Sequence, residues 1–526
     1  MSVFSQIIAF LPAALVIVLA LVTKKVHFSL CIGIYVGAII LCNGNVLTAI
    51  PTAFRDYIIP PLMSEGNIRT LIIIVAIQGL AKMLKVIGAG PAMARLIRKG
   101  IKTKRGAEVL TTAAGFAFIY TEPCFLLGVV MRPITEAYKV TKIKLAYICD
   151  SLGCNMAALS PVCSYGPYYV GLIAAELTAL GLSGDGWAYY GGYWVRNFYS
   201  IIAIAAVYFV CISGKDIGSL WLAEKRADVT GRLTAPGDVP LVVDNGEGNA
   251  DESKPWPVRN FVVPMVVMLI ALFACVFWDG DVVTNGVLGA FRNCTLTLAI
   301  AVALIIAGFA CIAMGAAEKM FSVSEGFQKW LDGCNNAMSV ILILVLAWAL
   351  SKISTALDLK GIVGNIIAST GFPPALIPAI IFLVGAVLSF ATGSSWGTAA
   401  LLMPISVPIC YEYGLGISVG AACAIAGGLF GDHCSPISDT TIKASMASEC
   451  DHIAHVSSQL PYALTAGVAT FLAYLVEGLT NSLVIALVVG IGSAIAAITV
   501  MSNRTAKKYA DYDFSAEEAE AAQTAK

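Results

Sequence analysis

Apolar runs of about 20 residues recur from one end of this chain to the other, and a hydrocarbon core asks that length of a helix. Inside a bilayer each backbone N–H and C=O must be paired within the protein, so runs of this kind become helices. Only 13% of the 526 residues are charged and 58% are hydrophobic, whereas soluble proteins carry about 25% charged residues. The expected fold is an all-α polytopic membrane protein with about 11 transmembrane helices plus two re-entrant hairpins. Plain spans are expected near 6–23, 28–43, 68–87, 186–213, 261–278, 294–316, 335–352, 461–478 and 481–502.

Charge orients these spans. Lys24 and Lys25 follow the first run, whereas a signal peptide carries its basic residues first, so this is read as a retained span with its N-terminus outside. Arg95, Arg98, Lys99, Lys102, Lys104 and Arg105 mark a cytoplasmic loop, and Arg504, Lys507 and Lys508 place the C-terminus in the cytoplasm. Lys352 and Lys360 fall outside in this scheme and run against it. The scheme fits a bacterial inner membrane. Net charge is zero, and nothing suggests a nucleic-acid partner. The 15 cysteines form no CxxC pair and read as small buried hydrophobes.

Segment 106–131 has basic residues at both ends and Tyr120-Thr121-Glu122-Pro123 in its middle. A single helix would be ~39 Å long. The reading is a hairpin entering from the cytoplasm with its tip at Thr121 and Glu122; one long tilted span is the competing reading. Residues 145–180 follow as a broken helix, interrupted at 150–155 and at Ser160-Pro161. Segment 373–413 reads as a second hairpin with a tip at Thr392, Gly393, Ser394, Ser395, Trp396, Gly397 and Thr398, and 416–447 as a second broken helix. The expected organisation is a first membrane repeat over 1–213, a polar cytoplasmic linker over 214–258, a second repeat with an extra C-terminal span over 259–502, and a disordered tail over 503–526. The two repeats would be inverted, with a binding site where they meet.

The richest stretch is Gly431-Asp432-His433-Cys434-Ser435-Pro436-Ile437-Ser438-Asp439-Thr440-Thr441, set between apolar runs. Ionisable groups at membrane depth mark ion or substrate pathways. On a continuous helix Asp432, Ser435 and Asp439 share one face, and Pro436 would free the carbonyl of Asp432. The alternative is an extramembrane loop rich in turn formers.

With these motifs placed, the chain resembles the NhaC-type sodium/proton antiporter family. Besides 431–441, the likeness is carried by Thr392-Gly393-Ser394-Ser395-Trp396-Gly397-Thr398, Met131-Arg132-Pro133-Ile134-Thr135 and Lys144-Leu145-Ala146-Tyr147-Ile148-Cys149-Asp150-Ser151. It spans roughly 68–480. The family's first hairpin tip usually carries two adjacent acids; this chain has Thr121-Glu122. The resemblance implies a secondary active transporter coupled to Na+ or H+, and a homodimer. Some relatives move organic acids or amino acids with sodium and protons.

Sodium is a hard cation that takes oxygen ligands. The candidate cation ligands are Asp432, Asp439, Ser435, Ser438, Thr440 and Thr441, with Asp150, Ser151 and Asn155 as first-half counterparts. Either aspartate could instead cap a half-helix. Asp432, His433 and Glu122 are the candidates for proton coupling; a purely structural histidine and an ion-paired Glu122 are the competing readings. The hairpin tips, Thr121, Glu122, Thr392, Gly393, Ser394, Ser395, Gly397 and Thr398, would meet a substrate. Asp451, His452 and His455 read as a cytoplasmic turn without a role. The leading expectation is Na+/H+ antiport, with sodium-coupled movement of a small organic acid or amino acid through the same site as the alternative. No cofactor is expected. No repeated filter loop supports a channel, and no catalytic constellation supports an enzyme.

Overall fold

A computed structural model describes residues 11–12, 14–16, 18–19, 22–23, 25–89, 92, 101–117, 123–161, 163, 165–240, 256–358 and 373–514. The tip residues Thr121 and Glu122, the acidic stretch 244–252 and the C-terminal tail beyond 514 lie outside the described residues, as does Lys360.

The protein is all-helical. The numbered helices are α1 (Val26–Leu41), α2 (Glu65–Val86), α3 (Lys104–Ala117), α4 (Pro123–Ala137), α5 (Lys142–Leu159), α6 (Tyr165–Ala179), α7 (Gly186–Arg196), α8 (Phe198–Ser213), α9 (Gly218–Thr230) and α10 (Arg259–Asp279). They continue as α11 (Val282–Asn293), α12 (Leu296–Ala317), α13 (Val323–Asn335), α14 (Met338–Ala356), α15 (Ile377–Thr392), α16 (Ser395–Glu412), α17 (Ile417–Cys434), α18 (Asp439–Ser448), α19 (His452–Thr480) and α20 (Leu483–Lys508). Shorter helical pieces between α1 and α2 include a π-helical turn, Ala53–Ile58.

Among the described residues, 8 helices are long and apolar enough to cross a membrane, or 9 if the bent pair at 27–62 is one span. Fewer qualify than the roughly 11 spans expected: the first, 6–23, lies in part outside the described residues, and breaks cut several other apolar segments into pieces shorter than a bilayer requires. The run 186–213, read as one span, is two helices joined at Asn197, whose side chain accepts from the Ser200 N–H. The stretch read as polar linker contains a full helix, α9, anchored where Tyr462 accepts the Ile217 N–H.

Two breaks position everything that follows. Helix α5 stops at Leu159, with Ser160 extended before Pro161. Helix α17 stops at Cys434, with Ser435 extended before Pro436. The device is the same in both places: proline's ring disfavours helical backbone in the residue before it. The expected break at 150–155 is absent; α5 runs straight through it, because nothing there bars an α-helix.

Helices α3 and α4 pack against each other, as do α15 and α16, and each pair packs on both broken helices. Helix α4 contacts α5 and α18, while α16 contacts α17 and α6. Gly393, at φ 62°, turns the chain between α15 and α16. A Cβ there would lie 2.8 Å from the Ile437 carbonyl, so only glycine lets this turn press against the second break.

Candidate functional site: the buried acids at the helix breaks

Asp432 sits in the last turn of α17 and is 1% exposed. Its Oδ2 accepts from the Ser395 hydroxyl at 3.0 Å, while Oδ1 has no hydrogen-bond partner. Asp150, in the middle of α5, is wholly buried. Its Oδ2 accepts from Thr441 Oγ1 at 2.9 Å and Gln459 Nε2 at 2.6 Å, and its Oδ1 is also without a partner. Asn155 Oδ1 on α5 and Thr398 Oγ1 on α16 are likewise buried without partners. Buried polar atoms in native structures normally have partners, so unpaired ones call for an explanation.

His433, next to Asp432 in the chain, bonds to the surroundings of Asp150. Its Nε2 lies 2.9 Å from Ser151 Oγ and its Nδ1 lies 2.6 Å from the Tyr199 hydroxyl. Its carbonyl accepts from Gln459 Nε2 at 2.8 Å, the same nitrogen that reaches Asp150. Gln459 Oε1 meets His455 Nε2 at 2.9 Å, and His455 Nδ1 meets Ser445 Oγ at 2.8 Å. His455 is therefore part of the network and wholly buried. The expectation of an idle cytoplasmic turn is corrected here. His455 and Gln459 lie four residues apart on one face of α19, and that spacing was the available signal. Tyr199 carried no sequence signal at all.

Other candidates are placed differently. Helix α17 ends before Ser435, so Asp432, Ser435 and Asp439 do not share a helix face. Asp439 begins α18 with its side chain 65% exposed, and its carboxylate pairs with Lys443 at 2.6 Å. The structure therefore does not bring Asp439 into the enclosed cluster. Pro436 does not free the Asp432 carbonyl, which accepts the Ser435 N–H. Ser435 Oγ donates to the Phe390 carbonyl at 2.8 Å, holding α15 against the break. Ser438 and Thr440 hydroxyls lie 2.9 Å apart and are buried. Thr392 bonds back to the Leu388 carbonyl, and Ser394 caps α16 by accepting the Gly397 N–H. Trp396 packs among Tyr165, Tyr168 and Tyr169, and its carbonyl accepts from the Tyr168 hydroxyl at 2.7 Å.

Sequence reasoning also missed a charged cluster at the foot of α5. Lys144, read as a basic flank, is wholly buried and pairs with Asp216, with Glu108 3.8 Å away. Glu224 accepts from the Thr141 N–H and hydroxyl and pairs with Lys104 at 2.8 Å. Arg132, from the first helix pair, reaches Glu449 at 2.9 Å. Among the described residues no group of three or more His, Cys, Asp or Glu side chains is arranged to hold a resident metal.

Residues 156–479 match the sequence pattern of the Na+/H+ antiporter family. An uncharacterized protein of Haemophilus influenzae is 30% identical over 502 residues, covering 91% of this chain and 92% of its own. The malate-2H(+)/Na(+)-lactate antiporter of Bacillus subtilis is 30% identical over 185 residues, 35% of this chain and 39% of its own. Among solved structures, the YdaH transporter of Alcanivorax borkumensis superimposes with a TM-score of 0.51 at 14% identity, covering 82% of this chain and 88% of its own, a likeness of fold alone.

Proposed function

Because the chain belongs to the Na+/H+ antiporter family, we propose that it exchanges Na+ for H+ across a bacterial plasma membrane at Asp432 and Asp150. It is a multi-pass membrane transporter, not an enzyme. One observation carries the reading: two buried carboxylates, Asp432 and Asp150, each keep an oxygen without a hydrogen-bond partner. Such an oxygen accepts a proton or a hard cation, and not both at once. Asp432 Oδ1, Asp150 Oδ1, Asn155 Oδ1 and Thr398 Oγ1 are the oxygens this reading offers to sodium, which takes oxygen ligands. The competition between proton and cation for these oxygens is the exchange.

The chain's other residues hold this arrangement. Ser395 and Gln459 fix one oxygen of each acid and leave the other open. His433, held from both ring nitrogens, keeps α5, α8 and α17 in register. Glu122, at the first tip, stays in the proposal as a second proton carrier. Access alternates as the two helix pairs and the broken helices move against the remaining spans. The inverted arrangement of the halves, an external N-terminus, a cytoplasmic C-terminus and a homodimer complete the proposal.

The second reading is sodium-coupled movement of a small organic acid or amino acid through the same site. The name of the Bacillus subtilis relative favours it, as does the single acid at the first tip. Purified protein in liposomes with an internal pH dye separates the two. A Na+ pulse with no organic solute should move protons under the first reading. Proton movement that appears only with a carboxylate or amino acid present would replace it with the second.

A further inference from the structure

Helix α6 leaves its break with Tyr165, Tyr168 and Tyr169 around Trp396 and ends, about 16 Å further along, at a different buried acid. Glu176 is 2% exposed. Among the described residues it has no basic partner; its polar contact is the Ser351 hydroxyl. A buried carboxylate without a countercharge is costly, and burial is sustained when a cation completes it.

Glu176 lines a chamber of about 120 Å³ between α6, α14 and α16. Its other walls carry the hydroxyls of Ser351, Ser354 and Thr355, the exposed carboxylate of Asp358 and the two prolines of α16, Pro404 and Pro408. The donors are therefore the buried carboxylate of Glu176, three hydroxyls and the exposed carboxylate of Asp358, all oxygen. Such a set suits a hard cation; Glu176 is its one buried acid, which favours a monovalent ion, while Asp358 stays exposed to solvent. The chamber has an entrance: through Ala179, Ser351 and Thr355 it adjoins a cavity of about 610 Å³ whose wall includes Asp56.

We propose that the Glu176 chamber is a second cation site, for a small monovalent cation such as Na+, separate from the acids at the helix breaks. It stands on its own donors and does not depend on the exchange reading of Asp432.

Equilibrium binding of radioactive sodium to purified protein in lipid nanodiscs tests it. Wild type should bind two ions per chain, Glu176→Gln and Asp432→Asn one each, and the double variant none. Ser354→Val, which fills the chamber without touching the acid, should also bind one, and it carries the test if Glu176→Gln fails to fold. Two ions bound by Glu176→Gln or Ser354→Val would overturn the proposal, as would a single wild-type ion lost in Asp432→Asn. One ion lost in Glu176→Gln and kept in Asp432→Asn would uphold this site and overturn the other.

Discussion

At the scale of single residues, burial and partners separate two acids that look equivalent in the sequence. Asp432 and Asp439 stand in one motif, yet one is enclosed and the other is exposed against Lys443. Exposed pairs of this kind contribute about 0–1 kcal/mol. Asp439→Asn should therefore keep transport within about threefold of wild type and leave the melting temperature nearly unchanged, as read by sodium-driven dye quenching and by differential scanning fluorimetry. Lys144 is the opposite case. Removing one partner of a buried ion pair leaves an uncompensated charge and costs about 3–5 kcal/mol. Lys144→Met should lower thermal stability sharply, and adding Asp216→Asn should restore part of it. A single variant as stable as wild type would show that the cluster holds nothing together.

At the scale of elements, the breaks and turns do the positioning. Ser435-Pro436 and Gly393 were legible because proline and positive-φ glycine impose local geometry whatever surrounds them. The break inferred at 150–155 was not real, because polar residues inside a helix need only polar neighbours in space. Those neighbours, Thr441 and Gln459, are about 300 residues away in the chain. The one-face argument for 432–439 failed for a related reason: it assumed a helix that Pro436 ends. Gly393→Ala would force a side chain into left-handed backbone and against Ile437. It should cost about 1–2 kcal/mol and reduce transport more than expression.

Asp451 caps α19, and its carboxyl lies below the usual range because it accepts the backbone N–H of Ala454. A depressed carboxylate contributes stability above its unfolded pKa and loses it as pH falls through the folded value. Asp451→Ala should thus be about 1 kcal/mol less stable at neutral pH, with the gap closing below about pH 4. A gap unchanged by pH in chemical denaturation would refute the capping role.

At the scale of the whole molecule, hydropathy and charge alone were enough for an all-helical membrane chain, since the bilayer permits few alternatives. Which buried acids meet was not readable, because α5, α17 and α19 come together only in three dimensions. His455 and Gln459 were lost in this way, and Lys144 was mistaken for a surface charge. The central claim is that Asp432 is where proton and sodium compete. It is tested most directly by a sodium pulse onto liposomes holding Asp432→Asn, with internal pH recorded beside wild type. The variant should purify as a folded protein and move no protons, whereas wild type does. Proton movement at the wild-type rate in Asp432→Asn would contradict the account.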